Sequence, residues 1–523
     1  MNKFELKNLS TKEKIGQLIM AGFHGTEVND DVRMLIRDYK VGNIILFARN
    51  IVSPKQLFEL NKELQKIAME EIGIPLYISI DQEGGMVSRI QDGATFFPGA
   101  MTIAATNKLA YAYQVGDLMG KELINLGVNM DLAPILDINN NPRNPVIGVR
   151  SYADTPELVS LYANATIKGL QNSIVATAKH FPGHGDTTVD SHLGLPTVTK
   201  TRSELEKFEF KPFRSAINEG VQAIMSAHIN FTDLTEGVPA TLSKKVLTDL
   251  LRGEMGFDGL IVTDALEMKA IDTHYGAVEA SLMTLNAGAN LLCICHDLPY
   301  QTGAADRIEK ALATGELTME TLDERVERIL RYKKMLKPID FNVTYEDVKA
   351  LVENDETKAL AAKICEEAVT LIKGEPIKLS NNALLVTTLP KATTIADDTD
   401  GGSTLTRKVK KEIPFLDILE IAVSPTDAEM EEVIEKAKGY DQVIYTTYNG
   451  NVYQSQINLV DKLATLNKDL HILALRNPYD LYYTKAIKNY VAFYEYTPNS
   501  NDAVIKYLKG ELIPTGKAPI KYE

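Results

Sequence analysis

The sequence predicts an α/β protein, in which a TIM-like (β/α)₈ barrel is followed by a smaller α/β layered (sandwich) domain. About eight short apolar segments alternate with helical patterns before residue 340. A break at residues 337–342, which include a proline, separates them from a second alternating series. We therefore expect the barrel in residues 1–340 and the C-terminal α/β domain, with a linker at its start, in residues 341–523.

Local signals predict the helices and strands of the barrel. Ser10 and Glu13 have the spacing of a capping box, and Ser53 followed by Pro54 predicts the start of another helix. The predicted strands are residues 18–23, 41–47, 75–80, 129–132, 174–178, 223–227, 260–263 and 289–295. Eight such units, with helices between them, are what a closed barrel of roughly 250 residues requires.

The second part of the chain carries its own apolar runs, at residues 384–389, 418–423, 443–445, 472–475 and 491–496. These runs alternate with helical stretches, which favours a smaller, doubly wound layer structure. The sequence shows no dense cluster of catalytic residue types in this part. We therefore look for the functional site in the barrel.

Composition limits the partners and the compartment. The net charge is -14 and the pI is about 5.3, which argues against nucleic acid because phosphates need a basic surface. Cys293, Cys295 and Cys365 lack a metal-ligand spacing and predict buried thiols. The sequence has no signal-peptide core and no apolar run that approaches the roughly 20 residues of a membrane span. These features predict a cytoplasmic protein with no membrane partner.

Residues 179–192 are the most distinctive stretch of the chain, with the sequence Lys-His-Phe-Pro-Gly-His-Gly-Asp-Thr-Thr-Val-Asp-Ser-His. The stretch holds three of the eight histidines around Pro182 and Gly183, which exclude a helix. The preceding strand is predicted to stop where Lys179 begins. Because α/β folds place their sites on loops at the carboxyl ends of buried strands, this loop is the first candidate for an active site.

Two aspartates and a histidine are the candidate catalytic groups. The carboxylate of Asp190 can accept a ring N–H of His192, fix its tautomer and raise its basicity, which makes His192 a candidate general acid and base. Asp264 ends the apolar run 260–263, faces the predicted barrel mouth and suits a covalent nucleophile at a sugar carbon. The alternative for Asp264 is a helix N-cap after the strand.

Other polar residues near strand ends would ring the same mouth. Asp81 suits an acceptor for sugar hydroxyls, and Arg89, Arg150 and Lys179 suit donors. Surface salt bridges are the alternative for the arginines. Arg150 lies in the turn-rich apolar loop 144–152, where a lone cation needs a partner.

His180 and His184 have the spacing of a helical zinc pair. The proline and glycine between them deny the helix that would place both rings on one face. A metal site, and a solvated loop with satisfied histidines, stay as alternatives to an active-site loop.

The motif at residues 179–187, together with Asp190, Ser191 and His192, closely resembles the NagZ-type β-N-acetylglucosaminidases of glycoside hydrolase family 3. The resemblance extends through residues 81–89, 144–152, 225–228 and 256–268, so it covers most of residues 1–336. In the second part of the chain only residues 516–520 look like the two-domain members of this family. Met86 departs from the pattern, because arginine is expected there in these enzymes.

The resemblance implies a retaining hydrolase in which Asp264 attacks the anomeric carbon. It implies that His192 protonates the leaving oxygen and then activates water, and that Asp190 holds His192. The residues it implies as contacts of N-acetylglucosamine are Asp81, Arg89, Arg150, Lys179 and His180. The implied substrates are muropeptide fragments or chito-oligosaccharides with a non-reducing β-linked N-acetylglucosamine. No metal or organic cofactor is implied.

Several alternatives remain open. The nearest is a β-N-acetylglucosaminide phosphorylase, because an imidazole in place of the usual second carboxylate repels no phosphate. Another family 3 β-glycosidase is a further alternative. A non-catalytic glycan-binding protein would bind sugar without releasing product, and a metal-dependent barrel hydrolase would lose activity with chelators.

Overall fold

The computed structural model describes residues 3–187, 190–192, 194–338, 340–390 and 404–522. Ile339 of the predicted linker and Thr188 and Val189 of the motif lie outside the described residues. The first twelve strands in this part of the chain are β1 Ile19–Ala21, β2 Asn43–Leu46, β3 Tyr77–Ile80, β4 Gln82–Gly84, β5 Val87–Ser88, β6 Met130–Asp131, β7 Val175–Phe181, β8 Thr197–Val198, β9 Ala223–Ser226, β10 Asn230–Phe231, β11 Leu260–Thr263 and β12 Leu292–Ile294.

Eight of these strands form one parallel sheet in the order β11-β9-β7-β6-β3-β2-β1-β12. Val262 of β11 bridges Leu291, next to β12, and this bridge brings the two edge strands together. The remaining four strands pair as β4 with β5 and β8 with β10 in two small sheets. The predicted barrel is therefore confirmed, and each predicted strand segment overlaps one strand of it.

Helices connect the strands. In the described residues they are α1 Thr11–Leu18, α2 Asp30–Arg37, α3 Pro54–Glu71, α4 Ala100–Ala105, α5 Leu109–Asn125, α6 Pro156–Leu170, α7 Arg202–Lys207, α8 Phe210–Asn218, α9 Lys269–Tyr275, α10 Ala277–Ala287, α11 Leu298–Thr314, α12 Met319–Lys333, α13 Tyr345–Val352, α14 Asp355–Ala368, α15 Thr404–Glu412, α16 Asp427–Ala437, α17 Gln454–Ala464 and α18 Pro498–Leu508. A π-helical segment, Lys245–Glu254, precedes β11. In this part of the chain no helix is both long enough and apolar enough to cross a membrane.

Local sequence signals set the helix ends. Ser10 and Glu13 form the predicted capping box at the start of α1. The side chain of Ser53 accepts the N–H of Gln56, and Pro54 occupies the first position of α3, where its missing N–H costs nothing. Helices pack against the barrel sheet, so strands such as β3 and β11 are buried along their whole length and appear in the sequence as unbroken apolar runs.

A second sheet contains β13 Thr370–Lys373, β14 Ala383–Thr388, β15 Asp417–Ile421, β16 Gln442–Thr447, β17 Asp469–Ala474 and β18 Asn489–Ala492. Its strand order is β13-β18-β17-β16-β14-β15, and all its pairs are parallel except β13 with β18. The five predicted strands are confirmed. Strand β13 was not predicted, because this edge strand is only partly buried and lacks a long apolar run. We call residues 370–390 and 404–522 the C-terminal unit.

The barrel and the C-terminal unit each have an apolar core. The residues of the two cores are not separated at the predicted linker. Tyr345 and Val352 of α13 belong to the barrel core, although they follow the predicted linker. Met86, Met101 and Val149 precede the linker and pack in the core of the C-terminal unit. The domain boundary at residue 340 stays a prediction.

Strand β7 differs from the prediction at its carboxyl end. It runs through Lys179 and His180 to Phe181, instead of stopping at Ala178. Phe181 still pairs with Ser226 of β9 after a register shift that begins at Ala178. The strand therefore carries two of the predicted site residues, and the loop begins later than expected.

Candidate active site

A cavity of about 450 Å³ opens where the barrel strands end. Such a volume falls in the usual range of small-molecule sites. Seven of the eight predicted site residues line it, namely Asp81, Arg89, Arg150, Lys179, His180, His192 and Asp264. Asp190, the eighth, lies behind His192 and is largely buried.

Asp264 directly follows β11. One of its carboxylate oxygens, Oδ1, accepts the backbone N–H of the next residue, Ala265, at 2.8 Å. Its backbone N–H donates to the carbonyl of Ser226 on the neighbouring strand at 3.3 Å. The next helix, α9, begins at Lys269. The alternative that Asp264 caps a helix is therefore wrong, and its carboxylate is placed on the cavity instead.

The surroundings of Asp264 favour its anionic form. Burial by itself raises the pKa of this carboxyl group, but the nearby rings of His228, His180 and His192 outweigh burial and lower the pKa to about 2. His228 is buried and its Nε2 lies 2.9 Å from the carbonyl oxygen of Ala265, so it also holds the segment after β11 in place. Asp264 is thus an ionised carboxylate at neutral pH.

His192 and Asp190 form a close pair on the loop after β7. Nδ1 of His192 lies 2.7 Å from Oδ1 of Asp190, which also accepts the backbone N–H of His192 at 2.9 Å. Because a carboxylate only accepts, Nδ1 carries a proton and Nε2 is the ring atom that remains for chemistry at the cavity. Burial lowers the pKa of His192, but the hydrogen bond and the charge of Asp190 outweigh burial and raise it.

A network of charged side chains also lines the cavity. Lys179 is 2 % exposed, and its Nζ lies 2.7 Å from Asp81 Oδ1 and 2.7 Å from Glu83 Oε1. Arg150 donates to both oxygens of Glu83, from Nε at 2.9 Å and from Nη2 at 2.7 Å. Arg89 Nη2 lies 3.6 Å from Asp81 Oδ2. Arg150 is therefore not a surface cation, and its partner is Glu83.

Glu83 is held ionised although it is buried. Burial raises the pKa of Glu83, but Arg150 and Lys179 outweigh it and hold the pKa well below its ordinary value. Below the network, Asp131 lies within β6, where its Oδ1 accepts the N–H of Gln82 at 3.0 Å. Burial raises the pKa of Asp131 well above its ordinary value.

His180 and His184 share one buried carboxylate. His180 Nδ1 lies 2.7 Å from Asp137 Oδ2, and the backbone N–H of His184 donates to Asp137 Oδ1 at 2.6 Å. The ring of His184 contacts hydroxyl groups at both nitrogens, Thr187 at 2.9 Å and Ser191 at 3.1 Å. Burial and the neighbouring His180 lower the pKa of His184 to about 4, so it is a neutral structural ring.

The arrangement of His180 and His184 does not support the alternative of a metal site at these two residues. Within the described ranges, no group of three or more histidine, cysteine or acidic side chains is placed to hold a metal ion. The contacts of His184 described above occupy both of its ring nitrogens. The two histidines instead fix the start of the loop that carries His192.

Glu83 and Asp137, which bond to predicted site residues, were not predicted themselves. Three residues that line the cavity were not predicted either, namely Arg49, Glu267 and His296. Glu83 stands two positions after Asp81, and Asp137 ends the apolar stretch that follows β6, so each had a positional signal. What the sequence lacked was the identity of their partners. Each carboxylate pairs with a group on a different strand or loop, and this pairing exists only in the folded barrel.

Comparisons with known proteins show the family of this chain. Residues 10–332 match the description "Glycosyl hydrolase family 3 N terminal domain". The chain is 34% identical over 419 residues to Beta-hexosaminidase A of Pseudoalteromonas piscicida, covering 72% of this chain and 70% of that relative. It is 33% identical over 332 residues to a Beta-hexosaminidase of Nitrosomonas eutropha, covering 60% of this chain and 94% of that relative.

A solved structure resembles the whole fold. The glycoside hydrolase family 3 beta-N-acetylglucosaminidase from Paenibacillus sp. str. FPU-7 superposes with a TM-score of 0.89 at 39% identity, covering 98% of this chain and 99% of that chain. Both parts of this chain, the barrel and the C-terminal unit, are thus present in a protein of this family. The chain is an enzyme of the glycoside hydrolase class and belongs to glycosyl hydrolase family 3.

Proposed function

We propose that this enzyme is a retaining exo-β-N-acetylglucosaminidase that removes a terminal, non-reducing, β-linked N-acetylglucosamine. The observation that carries the proposal is the placement of an ionised carboxylate, Asp264, and a carboxylate-bonded imidazole, His192, on one cavity. The names of the relatives and of the similar structure support the choice of sugar.

In the first half of the reaction, Asp264 attacks the anomeric carbon and the bond to the leaving oxygen breaks. Nε2 of His192 gives its proton to that oxygen, so the leaving group departs as a neutral alcohol. Asp190 stabilises the protonated ring that this step requires. The sugar is then held as an ester on Asp264, and His192 is neutral.

In the second half, neutral His192 removes a proton from a water molecule through the same Nε2. The water oxygen bonds to the anomeric carbon, and the carboxylate of Asp264 leaves. Two displacements at one carbon retain its configuration. The imidazole of His192 therefore serves first as an acid and then as a base. The hydrogen bond to Asp190 keeps the proton on Nδ1 of this ring through both halves of the reaction.

The charged network that lines the cavity is the proposed sugar-binding part. Asp81 offers carboxylate oxygens to ring hydroxyls, and Lys179, Arg150 and Arg89 offer donors. Nδ1 of His180 faces Asp137, so Nε2 of the neutral ring offers an acceptor. Because Glu83 holds both Lys179 and Arg150, these donors are already oriented before substrate binds. A cavity of about 450 Å³ suits one terminal sugar, which supports an exo mode of action.

Muropeptide fragments of peptidoglycan, or chito-oligosaccharides, are the proposed substrates, and a role in cell-wall recycling in the cytoplasm belongs to the same proposal. Phosphorolysis is the second candidate. It is favoured only by the imidazole acid and base, which puts no extra negative charge where phosphate would approach.

A product assay tests these proposals. The enzyme is incubated with para-nitrophenyl β-N-acetylglucosaminide and with the matching β-glucoside, each with and without phosphate. We expect turnover of the N-acetylglucosaminide and free sugar as product in both buffers. Sugar 1-phosphate in phosphate buffer would establish the phosphorylase, faster release from the glucoside would indicate another β-glycosidase, and sugar binding without product would contradict catalysis.

A further inference from the structure

The C-terminal unit contacts the barrel at the turn that carries Arg150. Gly148–Arg150 form one turn of 3-10 helix, and the N–H of Val149 donates to Oδ1 of Asn477, which follows β17, at 3.0 Å. Asn477 is 5 % exposed, so its hydrogen bond to the turn is shielded from water. A side chain of the C-terminal unit thus satisfies a buried backbone donor of the active-site loop.

A second contact holds the preceding peptide of the same turn. The N–H of Gly148 donates to Oδ1 of Asn139 at 3.1 Å, and Nδ2 of Asn139 donates to the hydroxyl of Tyr479 at 2.6 Å. Gly148 has a φ of 47°, and a Cβ at this position would lie 2.3 Å from Oδ1 of Asn477. The turn therefore leaves room for the Asn477 amide only because residue 148 is glycine, and a side chain there would displace Asn477.

The C-terminal unit also holds the hairpin that supplies Glu83. The backbone N–H of Tyr496 lies 3.3 Å from the sulfur of Met86, between β4 and β5. Glu495, which is 2 % exposed, accepts the N–H of Gly99 at 2.8 Å and the hydroxyl of Thr102 at 2.5 Å at the start of α4. Just before α4, the carbonyl of Phe97 accepts the N–H of Gly85 in the hairpin at 2.8 Å. Met86, where arginine was expected, is thus an apolar contact of the C-terminal unit.

Glu83 and Arg150 bond to each other through two hydrogen bonds, and Glu83 bonds to Lys179. The two barrel segments that supply this pair are both held from outside the barrel by the C-terminal unit. A displacement of Arg150 would also displace Glu83 and Lys179, because hydrogen bonds join Arg150 to Glu83 and Glu83 to Lys179.

We propose that the C-terminal unit is a working part of the active site, with Asn477 as a positioning residue that fixes Arg150 for sugar binding. This inference rests on the proposed role of Arg150 as a sugar contact. Asn477 does not touch the reacting atoms. It orders the turn before substrate binds, so its loss weakens sugar binding and leaves proton transfer at His192 unaffected.

The test compares two asparagine-to-alanine variants of the full-length chain. Asn477→Ala removes the acceptor of the Val149 N–H. Asn499→Ala is the matched control, because Asn499 also reaches across to the barrel, where its Nδ2 donates to the carbonyl of Phe96 at 2.9 Å. Steady-state kinetics on the N-acetylglucosaminide, a pH profile and a melting temperature are measured for both variants.

We expect Asn477→Ala to raise KM about tenfold, since a buried donor is left without its partner, while kcat changes by less than about threefold. Its pH profile should match that of the unmodified enzyme. Asn499→Ala should leave KM and kcat unchanged. An unchanged KM in Asn477→Ala, or an equal rise in both variants, would overturn the inference.

A double-mutant cycle with Arg150→Ala shows whether Asn477 acts through Arg150. Arg150→Ala alone should raise KM, and adding Asn477→Ala should then change KM by less than about twofold. Additive effects would overturn the inference and leave the proposed function intact. An unchanged KM in Arg150→Ala would remove Arg150 as a sugar contact and would overturn the inference, whereas the proposed function is tested separately by turnover of the N-acetylglucosaminide.

A milder variant keeps the test open if Asn477→Ala does not fold. Tyr479→Phe removes only the hydroxyl that accepts from Asn139, so the core around the ring stays filled. We expect KM to rise several-fold, about threefold, with the pH profile unchanged. If Asn477→Ala is unfolded and Tyr479→Phe has a normal KM, the C-terminal unit does not position Arg150.

Discussion

The substitution Asp190→Asn tests the proposed acid and base most sharply. Asp190 lies 2.7 Å from Nδ1 of His192, and its hydrogen bond and charge raise the pKa of that ring against the effect of burial. Asparagine keeps the shape and removes the charge. The protonated ring then loses its stabilising partner, so the pKa of His192 must fall.

The structure sets the size of this fall. A hydrogen bond to a charged group contributes about 1.5–3 kcal/mol, and one pKa unit corresponds to about 1.4 kcal/mol. The side chains of His192 and Asp190 are 20% and 8% exposed, so solvent screens part of the interaction and the lower end of the range applies. We expect the pKa of His192 to fall by about one unit.

The assay is the pH dependence of kcat/KM on a substrate whose leaving group is a sugar or simple alcohol, which needs a proton. The first half of the reaction requires protonated His192, so kcat/KM falls as the pH rises through the pKa of His192. This alkaline limb should move about one pH unit lower in Asp190→Asn. At pH values above both limbs, kcat/KM should be about tenfold below that of the unmodified enzyme.

Asp186→Asn is the matched control for this variant. Asp186 lies on the same loop and is partly exposed, but it pairs with Lys200 at 2.8 Å and not with His192. Its alkaline limb should coincide with that of the unmodified enzyme. A limb that stays in place in Asp190→Asn, or that moves to higher pH, would refute the role given to Asp190.

Three further predictions concern single residues. Asp264→Asn should lower kcat by roughly 10⁴-fold or more with an unchanged melting temperature, as measured by steady-state kinetics and calorimetry; near-normal activity would remove the nucleophile. His192→Ala should lower kcat/KM by about 10²–10⁴-fold on alkyl leaving groups and by much less on activated phenols, and an equal loss on both would contradict its role. Glu122, 3 % exposed, has its pKa raised by burial to about 8 from an ordinary 4.5. Between these values the unfolded chain releases the proton while the folded chain keeps it, so stability falls as the pH rises, and Glu122→Gln should gain stability over that range by at most about 5 kcal/mol in denaturant unfolding. If the free energy of unfolding changes with pH in the same way for the unmodified enzyme and for Glu122→Gln between pH 5 and pH 8, this last prediction is wrong.

The barrel was predictable because its strands are buried on both faces. Residues 77–80 and 260–263, for example, need no partner information, since a continuous apolar run between helical patterns is enough. The end of β7 was not predictable in the same way. Lys179 remains in the strand and is buried because Asp81 and Glu83 neutralise it, and a lysine without known partners reads as the start of a loop.

In the candidate site, too, contacts within one loop could be predicted, and contacts between distant parts of the chain could not. Asp190 and His192 pair across two positions of one loop, so their spacing revealed the contact. Arg150 and Glu83 are 67 positions apart, and only the closed barrel brings them together. The need of Arg150 for a partner was visible in its apolar loop, but the partner was not.

The contacts between the C-terminal unit and the barrel were the hardest to predict from the sequence. Asn477 and Tyr479 follow an ordinary buried strand, and neither residue type marks a site. Their role depends on how the C-terminal unit packs against the turn at Gly148, which a single sequence does not encode in any local pattern. Met86 gave a signal, as a departure from the family pattern, and its reason became clear only with Tyr496 beside it.

Covalent trapping tests the proposed mechanism most directly. A fluorinated N-acetylglucosaminyl fluoride forms the sugar ester quickly and releases it slowly, so intact-protein mass spectrometry followed by peptide mapping locates the attacked carboxylate. We predict one sugar per chain, on the peptide that carries Asp264, and no label on Asp264→Asn. A label on Asp81, Glu83 or another carboxylate, or turnover without any trapped sugar, would contradict the account.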